Sequence, residues 1–464
     1  MQSSIVRIDG ITINNFKNVE HGELSFCNNR KNYRASIVGL YGQNGSGKTA
    51  LIDALSMLKY ILCGAPVPLK FADYINVDSE SARIKYSIKV TKPDEDDEYS
   101  LSYEVSIKKE EDSSVVNTDG TYTTGHYKLV LFDEVLSFSG VVDGKKKMLQ
   151  PLIDTRNTDI FSPKTKYDAL TGKNRSVFTD LIVAKKLSAA TSRSFVFSGE
   201  LVNVIRDNCT DAEYEYLIES LVRFGNYELF VIDSATAGRI SLNAMPLIIG
   251  SRKYGSVAVS LNDGAVIPDE LMGAVRTVID NMNIVLPEVI PGLSISIKEV
   301  GAQMMRDGDM GMKIQLVSHK NSREIPLQYE SEGIKKIIAI LQLLIAVYNK
   351  DSITVAIDEL DAGVFEYLLG EILRIISEKG RGQLIFTSHN LRPLETLDKG
   401  FVAFTTTNPA HRYIRLCNVK TNNNLRDFYY RDIVLGEQNE PVYNATNNSE
   451  IALAFREAGE IYGS

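Results

Sequence analysis

Residues Gly42, Gln43, Asn44, Gly45, Ser46, Gly47, Lys48 and Thr49 form the pattern G-x-x-x-x-G-K-[ST]. Its glycines let backbone N–H groups turn inward around phosphate oxygens, and the helix that follows points its positive end at the same anion. Lys48 would supply a point charge between the β- and γ-phosphates of ATP, and the Thr49 hydroxyl would be a ligand for Mg²⁺. The environment agrees with this chemistry: an apolar run at 35–40 leads into the loop, and Leu51, Ile52, Leu55, Leu58 and Ile61 recur behind it at helical spacing.

A second group of residues could complete the reaction. The apolar strand at 353–357 delivers Asp358 and Glu359 at its C-terminal end, the edge at which open α/β sheets bind ligands. Asp358 would hold Mg²⁺, directly or through water, and Glu359 would act as general base on the attacking water. Upstream, the text YESEGIKK at 329–336 opens a long amphipathic helix, so the Ser331 hydroxyl, the Gly333 N–H and the helix start can together bind an anion. Taken alone these residues read as a helix cap. His389 follows the apolar strand at 383–387, which should end beside the loop and the acids, so it can serve as a ligand.

These residues need a frame that brings the two ends of the chain together. Strand, loop and helix alternate over 35–62, and helix and strand alternate again over 333–387, which predicts an α/β fold in which both ends share one parallel sheet. An alternating strand pair is expected over 5–26, and an antiparallel β meander over 83–150 with turn-rich pieces at 92–97 and 117–120. Helical text at 177–224 and 268–282 predicts an inserted, mainly helical lobe. The expected domains are 1–165 (first half of the head), 166–290 (lobe), 291–420 (second half of the head) and 421–464 (tail). The acidic run 94–98 and the basic run 145–147 read as solvated hairpin tips.

The chain of 464 residues is 44% apolar and 24% charged, the balance of a globular protein. Its net charge of -8, with 51 basic against 59 acidic side chains, does not describe a surface that binds DNA or anionic membrane indiscriminately, although a local basic groove is compatible with it. Cys27, Cys63, Cys209 and Cys417 lack disulfide or zinc spacing. With no membrane-spanning run and no leader pattern at the N-terminus, the expected location is cytoplasmic.

Taken together, ITINNFKNV with GELSF, GQNGSGKT, ESEGIKK, ITVAIDELDAG and LIFTSHN resemble ABC-class ATPases of the SMC and OLD-like group, in the AAA15 branch. The resemblance covers most of both ends of the chain. It implies an SMC-like P-loop head, Asp361 as the D-loop aspartate across a dimer seam, His389 as the switch histidine at the γ-phosphate, and a homodimer or higher even-numbered oligomer in which Ser331 and Gly333 close on the partner's nucleotide. Ile334 stands where related sequences often carry Thr, no Q-loop glutamine is assigned, and Lys17 reads either as a phosphate contact or as a solvent-exposed lysine. Compact members of this branch resemble the ATPase subunits of PARIS-type anti-phage systems, which implies a TOPRIM-type nuclease effector and a phage-encoded trigger. The alternatives are a DNA-repair or DNA-structure ATPase of RecF or SMC type, and an ATP-binding assembly scaffold with little turnover.

Overall fold

The structure is a computed structural model that describes residues 4–27, 34–92, 97–111, 127–142, 144–233, 244–248, 256–260, 264–305, 308, 310–416, 424–436 and 438–460. Residues 94–96 of the acidic run, the turn 117–120, Cys417 and the start of the tail at 421 lie outside them.

The chain begins with β1 (Ile5–Phe16), β2 (Val19–Ser25), β3 (Ser36–Tyr41) and α1 (Lys48–Leu62). The meander follows as β4 (Ser81–Thr91), β5 (Glu98–Glu111), β6 (Tyr127–Val142) and β7 (Lys145–Asp154), and joins β1 and β2 in one antiparallel sheet of order β2-β1-β4-β5-β6-β7. Four helices come next: α2 (Lys164–Leu170), α3 (Val177–Ala190), α4 (Gly199–Asn208) and α5 (Ala212–Arg223). Then come β8 (Leu229–Ile232), β9 (Ala244–Ile248), β10 (Ser256–Ser260), β11 (Ala265–Pro268), α6 (Asp269–Val289), β12 (Ser294–Met304), β13 (Met310–Lys320) and β14 (Arg323–Pro326). The last part holds α7 (Glu332–Asn349), β15 (Thr354–Ile357), α8 (Glu366–Lys379), β16 (Gln383–Thr387), α9 (Pro393–Thr396), β17 (Val402–Thr405), β18 (Tyr413–Ile414), α10 (Leu425–Leu435) and α11 (Asn448–Glu460).

The second sheet has the order β18-β17-β3-β16-β15-β8, parallel except for β18. The two ends of the chain share it, as the alternation predicts, and the architecture is an α/β P-loop head with a β meander. Its strands are buried on both faces, which is why they read as continuous apolar runs. Val38 and Leu40 face α1 and the meander, whereas Ile37 and Tyr41 face α7 and α8. α1 therefore lies between the two sheets, and truncating one of its core leucines to Ala is expected to cost about 2–5 kcal/mol. The sheets are also stitched by the buried Gln383 amide, which accepts from Ile8 N at 3.0 Å and donates to Ile8 O at 2.7 Å.

The span expected as one helical lobe, 166–290, divides into three. α2 to α5 bury Leu170, Leu181, Ile205 and Leu217 in the same core as α1 and the meander. The buried Glu134 ties them there, accepting from Tyr103 OH at 2.6 Å, from Phe195 N at 2.7 Å and from the Ser194 hydroxyl. β8 is an edge strand of the central sheet. A smaller α+β unit built on α6 and β11 to β14 has its own core and extends past residue 290. Apolar periodicity alone could not separate these fates, because α5 and α6 each carry one apolar face. α7 joins the last two regions, burying Ile340, Leu343 and Val347 toward the central sheet and Ile338 and Leu341 toward the α6 core. Among the described residues no helix is long and apolar enough to cross a membrane.

Candidate nucleotide-binding site

The loop between β3 and α1 has the geometry its glycines require. Gly42, Gly45 and Gly47 adopt φ of 153°, 76° and 92°, a region that side chains with a Cβ rarely enter. A Cβ on Gly42 would overlap the Thr405 hydroxyl, whereas Gly45 faces open space. The loop is braced from below by residues far away in sequence. Ser46 bonds to Thr405, Tyr413 OH donates to Gly47 O at 3.0 Å, and the buried Arg412 donates to Thr406 O at 2.8 Å and to Asn18 O. Asn18 in turn donates to Gly45 O. A tail contact, Asn444 N to Gln43 Oε1 at 3.0 Å, holds the loop's outer side.

Asn44, Gly45, Gly47, Lys48 and Thr49 line a cleft of ≈ 730 Å³ together with Asp358, Glu359, Asp361, Thr387 and His389. Parallel pairing makes this convergence inevitable, since β3, β16 and β15 are neighbours that end on one edge. Lys48 donates to Gly42 O at 2.8 Å and Gln43 O at 3.0 Å. Burial pushes its ammonium down, opposed by the charges of Asp358, Glu359 and Asp361.

The Thr387 hydroxyl organises the acids. It donates to Asp358 Oδ1 at 2.5 Å and accepts from Glu359 N at 2.8 Å. Glu359 holds a left-handed backbone, φ 48°, and its side chain is exposed to the cleft. Such a conformation costs of order 1–3 kcal/mol and is kept only where neighbours enforce it. Asp361 Oδ2 accepts from His389 N at 3.1 Å and Asn390 N at 2.9 Å, so within one chain it shapes the loop that carries His389.

Ser331 and Gly333 do not line this cleft. Ser331 caps α7, accepting from Ile334 N at 3.4 Å, and is exposed. Gly333 lies against Gly363, where a Cβ would overlap the Gly363 carbonyl oxygen. Lys17 is neither a free surface lysine nor remote from the site: it lines the cleft, pairs with the buried Asp53 and lies 4.0 Å from the centroid of the Tyr74 ring.

Several residues here carried no usable sequence signal. Thr405, Arg412 and Tyr413 are too far from the loop in sequence for any local pattern to connect them. Asp233 follows β8 and is buried beside the acidic strand, where Asp358 N donates to Ile232 O at 2.9 Å. It accepts from Ser56 Oγ at 3.1 Å and Lys70 Nζ at 3.0 Å. A strand ending in an acid, VIDS, was the available hint.

Residues 11–189 match a family model described as an AAA domain. No curated protein matches the chain. Among solved structures, the SmcHead bound to the C-winged helix domain of ScpA is similar over 88% of this chain and 97% of that chain, at 13% identity and a TM-score of 0.42. The SMC head domain from Thermotoga maritima is similar over 88% and 99%, at 13% identity and 0.36. The recombination mediator protein RecF-ATPrS in the RecFOR pathway is similar over 89% and 98%, at 11% identity and 0.36. Likeness this distant transfers no activity. The architecture itself is that of an α/β P-loop head, with loop, paired acids and histidine on one edge of a parallel sheet.

Proposed function

We propose that this protein is an ABC-class ATPase that works as an ATP-dependent switch. One observation carries the reading: Lys48, Thr49, Asp358, Glu359 and His389 meet in a single cleft, while Ser331 and Gly333 stand at an exposed helix start outside it. The cleft can bind a nucleoside triphosphate and is complete for hydrolysis except for a second anion-binding helix end, which another copy of the chain would supply.

The residues suit ATP and Mg²⁺. Open space at Gly45 leaves the loop's N–H groups free to approach phosphate, and α1 presents its N-terminus to the same point. The Thr49 hydroxyl and the Asp358 carboxylate, fixed by Thr387, are hard oxygen donors of the kind Mg²⁺ takes, with phosphate and water as its other ligands. When bound, Mg²⁺ would neutralise charge on the β- and γ-phosphates. Lys48 would turn from the Gly42 and Gln43 carbonyls to phosphate oxygens. Glu359 would accept a proton from the attacking water, with its backbone pinned by Thr387, and His389 would donate toward the γ-phosphate. Binding of ATP would favour the closed pair of heads and hydrolysis would release them, a population shift driven by differential affinity for the γ-phosphate.

The resemblance drawn from the sequence takes the reading further, to a switch that controls an effector of TOPRIM nuclease type in anti-phage defence. Steady-state phosphate release and ATP affinity of Glu359→Gln test the core of it. Release is expected to fall at least ~100-fold, the scale of a lost general base, with ATP still bound and the dimer accumulating. Unchanged release would refute the assignment. A pull-down on the trapped variant with mass measurement then tests the effector; recovery of the homo-oligomer alone counts against that part.

A further inference from the structure

Every residue from Asn444 to Gly459 is exposed, although most of this stretch forms the helix α11. Its sequence is nevertheless patterned to bury one side: Ile451, Ala454, Phe455 and Ala458 recur at i, i+3, i+4 and i+7, with Glu450 and Glu457 opposite. Phe455 is 77% exposed. A 13-residue helix is marginal in water by itself, and the Asn447 side chain, which accepts from Ser449 N at 3.0 Å and Glu450 N at 3.4 Å, secures only its first turn. A covering surface is therefore required, and the tail restricts where it can be. Val442 is buried, Thr407 N donates to Pro441 O at 2.8 Å and Asn444 N donates to Gln43 Oε1 at 3.0 Å, so the chain is pinned as far as the outer side of the P-loop. Each residue after Asn444 spans at most ~3.6 Å, which starts α11 within about 15 Å of that anchor.

A second set of exposed apolar side chains lies at the other half of the proposed composite site. Tyr329 and Phe365, 72% and 70% exposed, stand just before Ser331 and just after Gly363, on either side of the contact between Gly333 and Gly363. Single apolar residues on a surface are ordinary, but large aromatics flanking one close backbone contact are of the kind that anchors an interface. Two-fold symmetry relates the two features. In a two-fold pair every contact is made twice, once in each direction. When Ser331 of one copy faces the P-loop of the other, the aromatics beside Ser331 face the tail beside that loop. We infer that α11 is a dimer arm, which crosses the seam and lays Ile451 and Phe455 on Tyr329 and Phe365 of a second copy. The inference rests on the ATPase reading above, which sets the orientation of the pair. Each copy carries both an arm and a patch, so the pair closes with two such contacts and leaves neither feature uncovered.

The test uses the full-length Glu359→Gln protein with ATP as the parent, read by sedimentation and by nucleotide affinity at concentrations where chains are single. Adding Phe455→Asp or Ile451→Asp is expected to weaken pairing at least ~10-fold, the scale of a lost interface anchor, with single-chain ATP affinity changed less than about threefold. Both positions are exposed, so the fold of the head is not at stake. A mixture of Phe455→Cys and Phe365→Cys chains, treated with a short bis-maleimide in ATP, should give covalent dimer in excess of either chain alone. Pairing of Phe455→Asp equal to that of the parent, or no excess cross-link in the mixture, overturns the inference. A parent that binds ATP without pairing would instead remove the paired-head part of the ATPase reading, and this inference with it.

Discussion

The loop at residues 42–49 and the helix start at residues 331–333 both present glycine-bearing N-termini suited to an anion, yet they are built in opposite ways. The loop is buttressed by distant elements: Thr405, Arg412 and Tyr413 support it from beneath, Asn18 and Asn444 from its sides. The helix start is exposed at Ser331 and secured locally, by a long cap bond, the Lys335 ammonium on Glu332 and the apposition of Gly333 to Gly363. On the proposed reading one anion site is finished within the chain, whereas the other stands at the surface with little around it to hold phosphate strongly in water.

Three substitutions press on this contrast. The largest effect is expected from Lys48→Ala, which should weaken ATP at least ~100-fold in a fluorescent-nucleotide titration, since it removes a charge-assisted contact to phosphate. Retained affinity would mean that the finished half is not where nucleotide binds. Gly333→Ala should come next. The added methyl meets backbone that cannot turn aside, so α7 must shift, at about 1–3 kcal/mol of stability in chemical denaturation. Sedimentation with ATP should show the pairing of chains lost while single-chain nucleotide affinity changes little; a variant that still pairs on ATP would remove the helix start from the interface. Smallest is Tyr413→Phe, which deletes the hydrogen bond to Gly47 O and should cost about 1 kcal/mol, or roughly fivefold in ATP affinity. No change there would show that the loop stands without its C-terminal brace.

The sequence made some of this legible and concealed the rest for physical reasons. Gly42, Lys48, Asp358 and His389 could be read because the loop, the acidic strand and the strand before His389 each carry their signal within a few residues. Their convergence also followed, since strands that alternate with helices form a parallel sheet whose ends share an edge. The braces could not be read: Arg412 meets Asn18 across 394 positions, and no local pattern encodes that. The division of the supposed helical lobe was hidden for a related reason. An amphipathic helix announces that it will bury one face, not which core receives it, and α2 to α5 join one core while α6 joins another.

The pairing of β3 has a consequence for how the protein is made. Both of its neighbours, β16 and β17, lie between residues 383 and 405, so the strand that leads into the P-loop has no sheet partner until most of the chain has left the ribosome. At about 5–20 residues per second, that leaves a bare apolar strand waiting for tens of seconds. The meander, whose strands are mostly sequential, can form meanwhile and shelter α1 against its apolar face. The finished β3–α1 loop should therefore arrive late and all at once, and chains truncated before β16 should be insoluble rather than partly folded.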